Sequence, residues 1–326
     1  MSEPRVRFRF WRSPARVFAV FLIAVGLLAP FLANDVPIAA RVDGHWSFPA
    51  FADCFGQPPP GPHDLSWKEW WSRLPADGED FALMPPWPYG PEETNAARFA
   101  AGPSVAHPFG NDAAGRDLLA RVVHGTRSAI GIGGLAVLIG GFVGTLLGAV
   151  AGYRRGIVDV VVLRLVEIFL CFPMLLFLLF AASFFGESSS GFVIVMAALF
   201  WTSFARIVRG EMLALREREY VTVARHLGIR ESRILFRHVL PQLWSQVGVT
   251  AAFCMGAAIS AESTLSFLGI GPGRGSVSWG VTLREGSRYA HLGGWHQWFF
   301  PTLAIVSAVM CCHVLADQAR AARRAA

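Results

Sequence analysis

Long apolar runs alternate with short arginine-bearing breaks along most of the chain. Val17–Ala33, Ala129–Ala151, Leu165–Phe185, Gly191–Ile207, Leu243–Ala261 and Phe299–Ala316 each approach or reach the roughly 17–25 residues that a membrane-spanning helix needs. The pattern predicts six spans in an all-α integral membrane protein. The first run is too long for the apolar core of a cleaved signal peptide, and further spans follow it, so it is read as retained. In the second, Gly140, Gly144 and Gly148 recur every fourth residue and mark a helix-packing groove of the small-xxx-small kind. In the third, Pro173 is expected to kink the helix near its middle.

Between the first two spans the pattern breaks down. Residues 34–127 hold most of the prolines, five tryptophans (Trp46, Trp67, Trp70, Trp71 and Trp87) and more acids than bases. Runs such as Pro58–Pro60 and Pro85-Pro86-Trp87-Pro88 cannot continue helices or central strands. An irregular segment stitched by aromatic packing is expected, ending in a short amphipathic helix at the membrane surface. That helix carries Leu118, Leu119, Val122 and Val123 on its apolar stripe and takes Asp112 as its N-cap. His107 and His124 are read as surface residues. The division is residues 1–33, 34–128, 129–316 with a polar loop at 208–241, and a basic tail at 317–326.

Composition narrows the function. The chain has 326 residues, 53% hydrophobic and 16% charged, against roughly 25% charged in soluble domains. Its net charge of +6 is almost all arginine, because Lys68 is the only lysine. A phosphate-binding loop needs a Gly-Lys-Ser/Thr lysine, and Lys68 lies in Ser-Trp-Lys-Glu-Trp. Any ATP this protein depends on is therefore bound by a partner. Cys54, Cys171, Cys254, Cys311 and Cys312 are scattered and form neither a disulfide framework nor a zinc site. Arg164 and Glu167 stand at an i,i+3 spacing that allows a local ion pair, with a functional role as the other reading.

With six spans, the arginines beside them fall in residues 1–16, at Arg154 and Arg155, in the 208–241 island and in the tail, which puts both termini in the cytoplasm. The island is polar in an otherwise apolar chain. A helix over Glu211–Leu227 is expected to end at Gly228 in a left-handed C-cap, and a second helix runs over Glu231–Leu240, with Ile234, Leu235 and Val239 turned toward the membrane. Tyr220, Ala224 and Leu227, with Val223 beside them, form one face suited to a partner's groove. A basic loop on lipid headgroups needs neither that face nor two delimited helices.

Here the sequence resembles the permease subunits of binding-protein-dependent ATP-binding-cassette (ABC) importers. Their EAA loop reads Glu-Ala-Ala, three residues, Gly, nine residues, Ile-x-Leu-Pro. Ala224, Gly228, Leu240 and Pro241 match it, while Thr222, Val223 and His238 depart at the Glu, the first Ala and the Ile. The preceding Arg218-Glu219-Tyr220-Val221 and the Arg237-His-Val-Leu-Pro241 ending resemble the dipeptide/oligopeptide branch. So do the run from His107 to Val122, HPFGNDAAGRDLLARV, and Leu265-Ser-Phe-Leu-Gly-Ile-Gly271 with Ser278-Trp-Gly280. Arg274 and Gly275 replace prolines common between the last two. Residues 33–49 look like the microcin C/oligopeptide subgroup.

The resemblance implies a non-enzymatic permease of the bacterial inner membrane, with the type I importer fold. Its coupling residues would be Glu219, Tyr220, Thr222, Val223, Ala224, Leu227, Gly228, Leu240 and Pro241. The implied partners are ATPase subunits carrying ATP-Mg, a second homologous permease, a periplasmic substrate-binding protein, the lipid membrane and a peptide-like substrate. No catalytic residue, metal ligand or cofactor site is expected in this chain, nor any nucleic acid. The alternatives are an importer of the same family for nickel or a glycosyl compound, an ion-driven secondary transporter, and a membrane-anchored enzyme. Apart from Glu167 and His313 the spans offer an ion-driven transporter little, and no nucleophile–base pair supports an enzyme.

Overall fold

The structure, a computed structural model, describes residues 13–54, 61–74, 80–185, 188–234, 237, 239–271 and 277–325. Arg5, Arg7, Arg9, Arg12, Pro58–Pro60, Leu235, His238, Arg274 and Gly275, and the Gly186-Glu187 start of the expected fourth-span loop, lie outside the described residues. Among the described residues, five helices are long and apolar enough to cross a membrane: α1 (Pro14–Leu32), α4 (Leu118–Arg154), α7 (Ser189–Arg216), α10 (Leu240–Leu268) and α12 (Trp295–Ala325, apolar through Arg323). A bent pair, α5 (Gly156–Leu170) and α6 (Met174–Phe185), makes the sixth if taken as one span.

That pair is where the expected kink becomes a break. α5 and the start of α6 meet at 81°, across Cys171, Phe172 and Pro173. Pro173 has no N–H to give the carbonyl four residues back, and its ring crowds that turn. Arg164 and Glu167 on α5 form the local ion pair at 2.6 Å, both side chains exposed.

The separate surface helix ahead of the second span does not exist. α4 runs unbroken for 37 residues from Leu118, so the boundary drawn at residue 128 cuts a continuous helix. Nothing between Leu118 and Arg154 breaks it: no proline occurs there, and several of its glycines sit against neighbours rather than in strained turns. Asp112 is not its N-cap. Asp117 is, its carboxylate accepting from the Ala120 N–H at 2.8 Å. The tail likewise continues α12 rather than forming a separate segment.

Between α1 and α4 lies a small antiparallel sheet, β1 (Ala39–Val42), β2 (His45–Ser47) and β3 (Phe81–Leu83), in the order β2-β1-β3 with Ala40 opposite Ser47 and Ala82. Short helices α2 (Pro49–Asp53) and α3 (Trp67–Ser72) accompany it. Ser66 opens α3 with a capping box: its hydroxyl accepts from the Glu69 N–H, and the Glu69 carboxylate accepts from the Ser66 N–H. Trp67 and Trp70 pack edge to face at 5.8 Å in a buried cluster with Val36, Ala40 and Ala50, which is the aromatic stitching expected of this segment.

The chain divides into two compact units, one of Met1–Ala19, Ile132–Glu262 and Ser307–Ala326, the other of Val20–Gly131 and Ser263–Val306. In the first, the glycine groove of α4 is filled by α7. A Cβ on Gly140 would stand 2.8 Å from the Ala197 carbonyl oxygen, and Gly144 and Gly148 press as closely on the carbonyls of Trp201 and Ala205. Any side chain there would push the helices apart. The groove serves packing within the chain itself.

Candidate functional site

The polar island occupies the first unit and begins inside a long helix. α7 runs on to Arg216, so the expected break-free helix over Glu211–Leu227 is instead two, split at Glu217 and Arg218. The short helix α8 (Glu219–His226) follows. Beyond it, α9 covers Glu231–Ile234, Arg237 and Val239 are π-helical, and α10 opens at Leu240 with Pro241 following it. The described residues of the expected second helix over Glu231–Leu240 are thus helical, and Leu240 and Pro241 also open the following span.

Gly228 ends α8 in the left-handed conformation, at φ 74°. The Ile229 N–H reaches back to the Ala224 carbonyl at 3.2 Å, a Schellman closure. A Cβ on Gly228 would meet nothing within 4 Å. Backbone conformation rather than crowding selects glycine here.

One side of α8 is packed and the other is open. Val221 is fully buried with Val208, Met212 and Leu215 of α7, Ile234 of α9, Val239 just ahead of α10 and Leu243 in its first turn, and Ala224 packs against that cluster. Ala224 therefore faces inward and leaves the expected contact face. What remains outward is Tyr220, Val223 and Leu227, the last 73% exposed, with Glu219, Thr222 and Gly228 beside them. The Gln242 side-chain amide donates to the Tyr220 hydroxyl at 3.0 Å, pinning the ring at the start of α8. Thr222, standing where the EAA signature has Glu, hydrogen-bonds only weakly back to the Arg218 carbonyl at 3.5 Å.

Ion pairs brace the helices that carry this loop. Arg155 pairs with Glu217 at 2.6 Å, and Arg216 donates to the Tyr153 carbonyl, so the chain at the end of α4 grips the end of α7 just before α8. Arg209 of α7 holds Asp159 of α5 through both guanidinium and carboxylate edges. Arg323 of α12 holds Glu211 and donates to Gln246 at 2.6 Å. None of these side chains was singled out from the sequence. Their signal was present only as arginines beside spans.

In the second unit the two other motifs meet. His107 is buried, not on the surface, with Nδ1 2.6 Å from Asp117 Oδ2. Asp117 also accepts from Trp87 Nε1 at 3.0 Å. His124 Nε2 lies 2.7 Å from the Ala33 carbonyl, so it too is engaged within the fold. Asp112 is buried and binds Arg116 at 2.7 Å; Arg116 and the fully buried Arg121 both reach Glu285, at 2.6 and 2.9 Å. Burial alone would lower the Arg116 guanidinium, but Asp112, Glu285 and Glu92 more than offset it and hold it above its ordinary value. Glu285 sits on α11 (Trp279–Ser287). Ser278 caps it by accepting from the Val281 N–H, Trp279 donates to the Val122 carbonyl at 2.8 Å, and Gly280 lies against Ser263 and Ser266.

Residues 144–322 match the family described as binding-protein-dependent transport system inner membrane component. The chain belongs to that family. This permease is 36% identical over 223 residues to the glutathione transport system permease protein GsiD of Pectobacterium atrosepticum, covering 68% of this chain and 74% of the relative. It is 33% identical over 244 residues to the oligopeptide transport system permease protein OppC of Haemophilus influenzae, covering 74% and 78%. To the dipeptide transport system permease protein DppC of Bacillus subtilis it is 34% identical over 215 residues, covering 66% and 67%. The protein is thus a multi-pass inner-membrane permease subunit of an ABC importer and is not itself an enzyme. Members of this family work with ATPase and substrate-binding partners.

Proposed function

We propose that this permease carries peptides or peptide-like compounds into the cytoplasm, driven by ATP-Mg on separate subunits that grip the outward face of α8. The substrate class is supported by similar permeases named for glutathione, oligopeptides and dipeptides. A second, homologous permease completes the path, a periplasmic binding protein delivers the substrate, and both termini lie in the cytoplasm with the island.

The observation that carries the reading is the two-sidedness of α8. Val221 and Ala224 fasten it to α7 and α10, while Tyr220, Val223 and Leu227 offer an apolar stripe that nothing in the described chain covers. A lever needs both halves. An ATPase that closes on nucleotide shifts the permease only if it holds α8 differently in its open and closed states. Glu219, Thr222 and Gly228 border the stripe, and Leu240 and Pro241 fix where the next helix leaves it.

Leu227→Asp tests this without touching the packed side. The variant should insert and unfold like the parent, yet lose its ATPase on detergent co-purification and lose peptide-stimulated ATP hydrolysis. Retention of the ATPase with normal stimulation would overturn the assignment of α8 as the docking element.

A further inference from the structure

The break between α5 and α6 opens into a cavity of about 580 Å³ within the first unit, walled by Phe172, Pro173, Phe200 and Phe253 and reached by Arg206 and Arg320. Three observations bear on its contents. Non-helical backbone at membrane depth is tolerated only where it is buried in protein or lines water, and here Phe172 and Pro173 line the cavity. Arg206 lies within the apolar helix α7, is exposed, and has no ion-pair partner among the described residues. A charged side chain in a span faces a bundle interior or an aqueous cavity and is a functional suspect by default. Finally, no described carboxylate lines the cavity, while Arg320 sits over the Phe253 ring at 4.3 Å, so the interior is cationic and partly aromatic.

Ser203 stands one helical turn before Arg206 on the same face of α7 and also lines the cavity. The hydroxyls of Thr202 and Thr250 are already given to the Leu199 and Gln246 carbonyls. The free donors are therefore the guanidinium groups of Arg206 and Arg320 and the Ser203 hydroxyl, of which Arg206 and Ser203, a turn apart on one helix, suit a carboxylate. Arg206 is the last residue but one of the fourth span expected over Gly191–Ile207.

We propose that Arg206 is a specificity-determining residue of the transport path, whose guanidinium takes the carboxylate of the passing peptide in a water-filled cavity beside the α5–α6 break. This rests on the peptide reading above. Apolar side chains of the same substrate would lie against Phe172, Phe200 and Phe253.

The test uses the complete complex, with its ATPase and binding protein, in phosphatidylcholine vesicles. Arg206→Gln should cut uptake of trialanine at least tenfold more than uptake of its C-terminal amide, and Arg206→Lys should restore part of that difference. Equal losses for both probes, or none, would overturn the assignment. A second measurement does not depend on peptide transport. Ser203→Cys, read by mass spectrometry at that residue, should react faster with an anionic than with a cationic methanethiosulfonate, and Arg206→Gln should abolish the preference. No reaction with either reagent would overturn the water-filled cavity. A wild-type complex that carries neither tripeptide yet shows the anionic preference would remove the peptide reading and leave the anion site standing. Slowing of the anionic reagent by added phosphatidylglycerol would give Arg206 to a lipid phosphate and overturn the proposal.

Discussion

The loop around α8 and the polar knot around Asp117 are both short, charged and motif-bearing, but they spend their side chains in opposite directions. In the knot almost every motif residue is committed inside the fold: His107 and Trp87 to Asp117, Arg116 to Asp112 and Glu285, Arg121 to Glu285. Gly110 and Gly115 adopt positive φ and press on His296 and on the Asn95 backbone. Around α8 Val221, Ala224 and Ile229 pack on the fold, Gly228 closes the helix and the Tyr220 hydroxyl is held by Gln242, while Glu219, Thr222, Val223 and Leu227 are exposed. The knot run resembles the dipeptide/oligopeptide branch, whereas the EAA loop departs from its signature at Thr222 and Val223, both exposed, and at His238, outside the described residues. A buried polar group tolerates no missing partner. An exposed position answers only to whatever docks on it.

The sharpest way to break this contrast is Asp117→Ala. It removes the α4 N-cap and strands His107 and the Trp87 indole, so a loss of about 3–5 kcal/mol is expected, as for a buried pair deprived of one member. Asp117→Asn keeps the cap acceptor and should lose clearly less. Thermal unfolding of the purified permease measures both. Equal and small losses would show that the knot is not what holds this segment.

Next in size is Val221→Ala, on the packed side of α8. Removing its buried methyl groups should cost about 2 kcal/mol of local stability, including the space left behind. Hydrogen exchange of the α8 amides should rise with little change elsewhere. Unchanged protection would mean that α8 is not fastened through Val221.

Much of this was legible in the sequence, and the gaps share a cause. Apolar periodicity placed all the long helices, because burial in lipid requires unbroken apolar runs whatever the tertiary packing. Gly228 was legible because a left-handed helix end has one favoured residue. The joins were not. Whether α7 stops at Ile207 or runs on to Arg216 depends on Val208, Met212 and Leu215 finding partners on other elements, and local pattern carries no record of those. Ala224 was misplaced for the same reason: helical spacing groups Tyr220, Ala224 and Leu227, but only the cluster around Val221 decides which side is covered. The burial of His107 is not legible locally, because its partner Asp117 lies ten positions away through two glycine turns.

Gly228 offers a smaller and more selective effect. With open space around its Cβ, Gly228→Ala should cost only the left-handed backbone penalty, about 1 kcal/mol, and Gly228→Asn less, since asparagine visits that region more readily. If the closure of α8 matters to coupling, peptide-stimulated ATP hydrolysis should fall in the order glycine, asparagine, alanine. An unchanged rate in the alanine variant would uncouple the Schellman closure from function.

The smallest expected change comes from Thr222→Glu, which restores the acid of the EAA signature. Thr222 is exposed and its hydroxyl makes only a long bond to its own helix, so unfolding should shift by less than about 0.5 kcal/mol. Whatever change appears should lie in the affinity of the complex for its ATPase, and it should weaken with salt, as an exposed charge contact does. A stability change above about 1 kcal/mol would place Thr222 against the fold after all. The tolerance of the outward side would then need another cause than exposure.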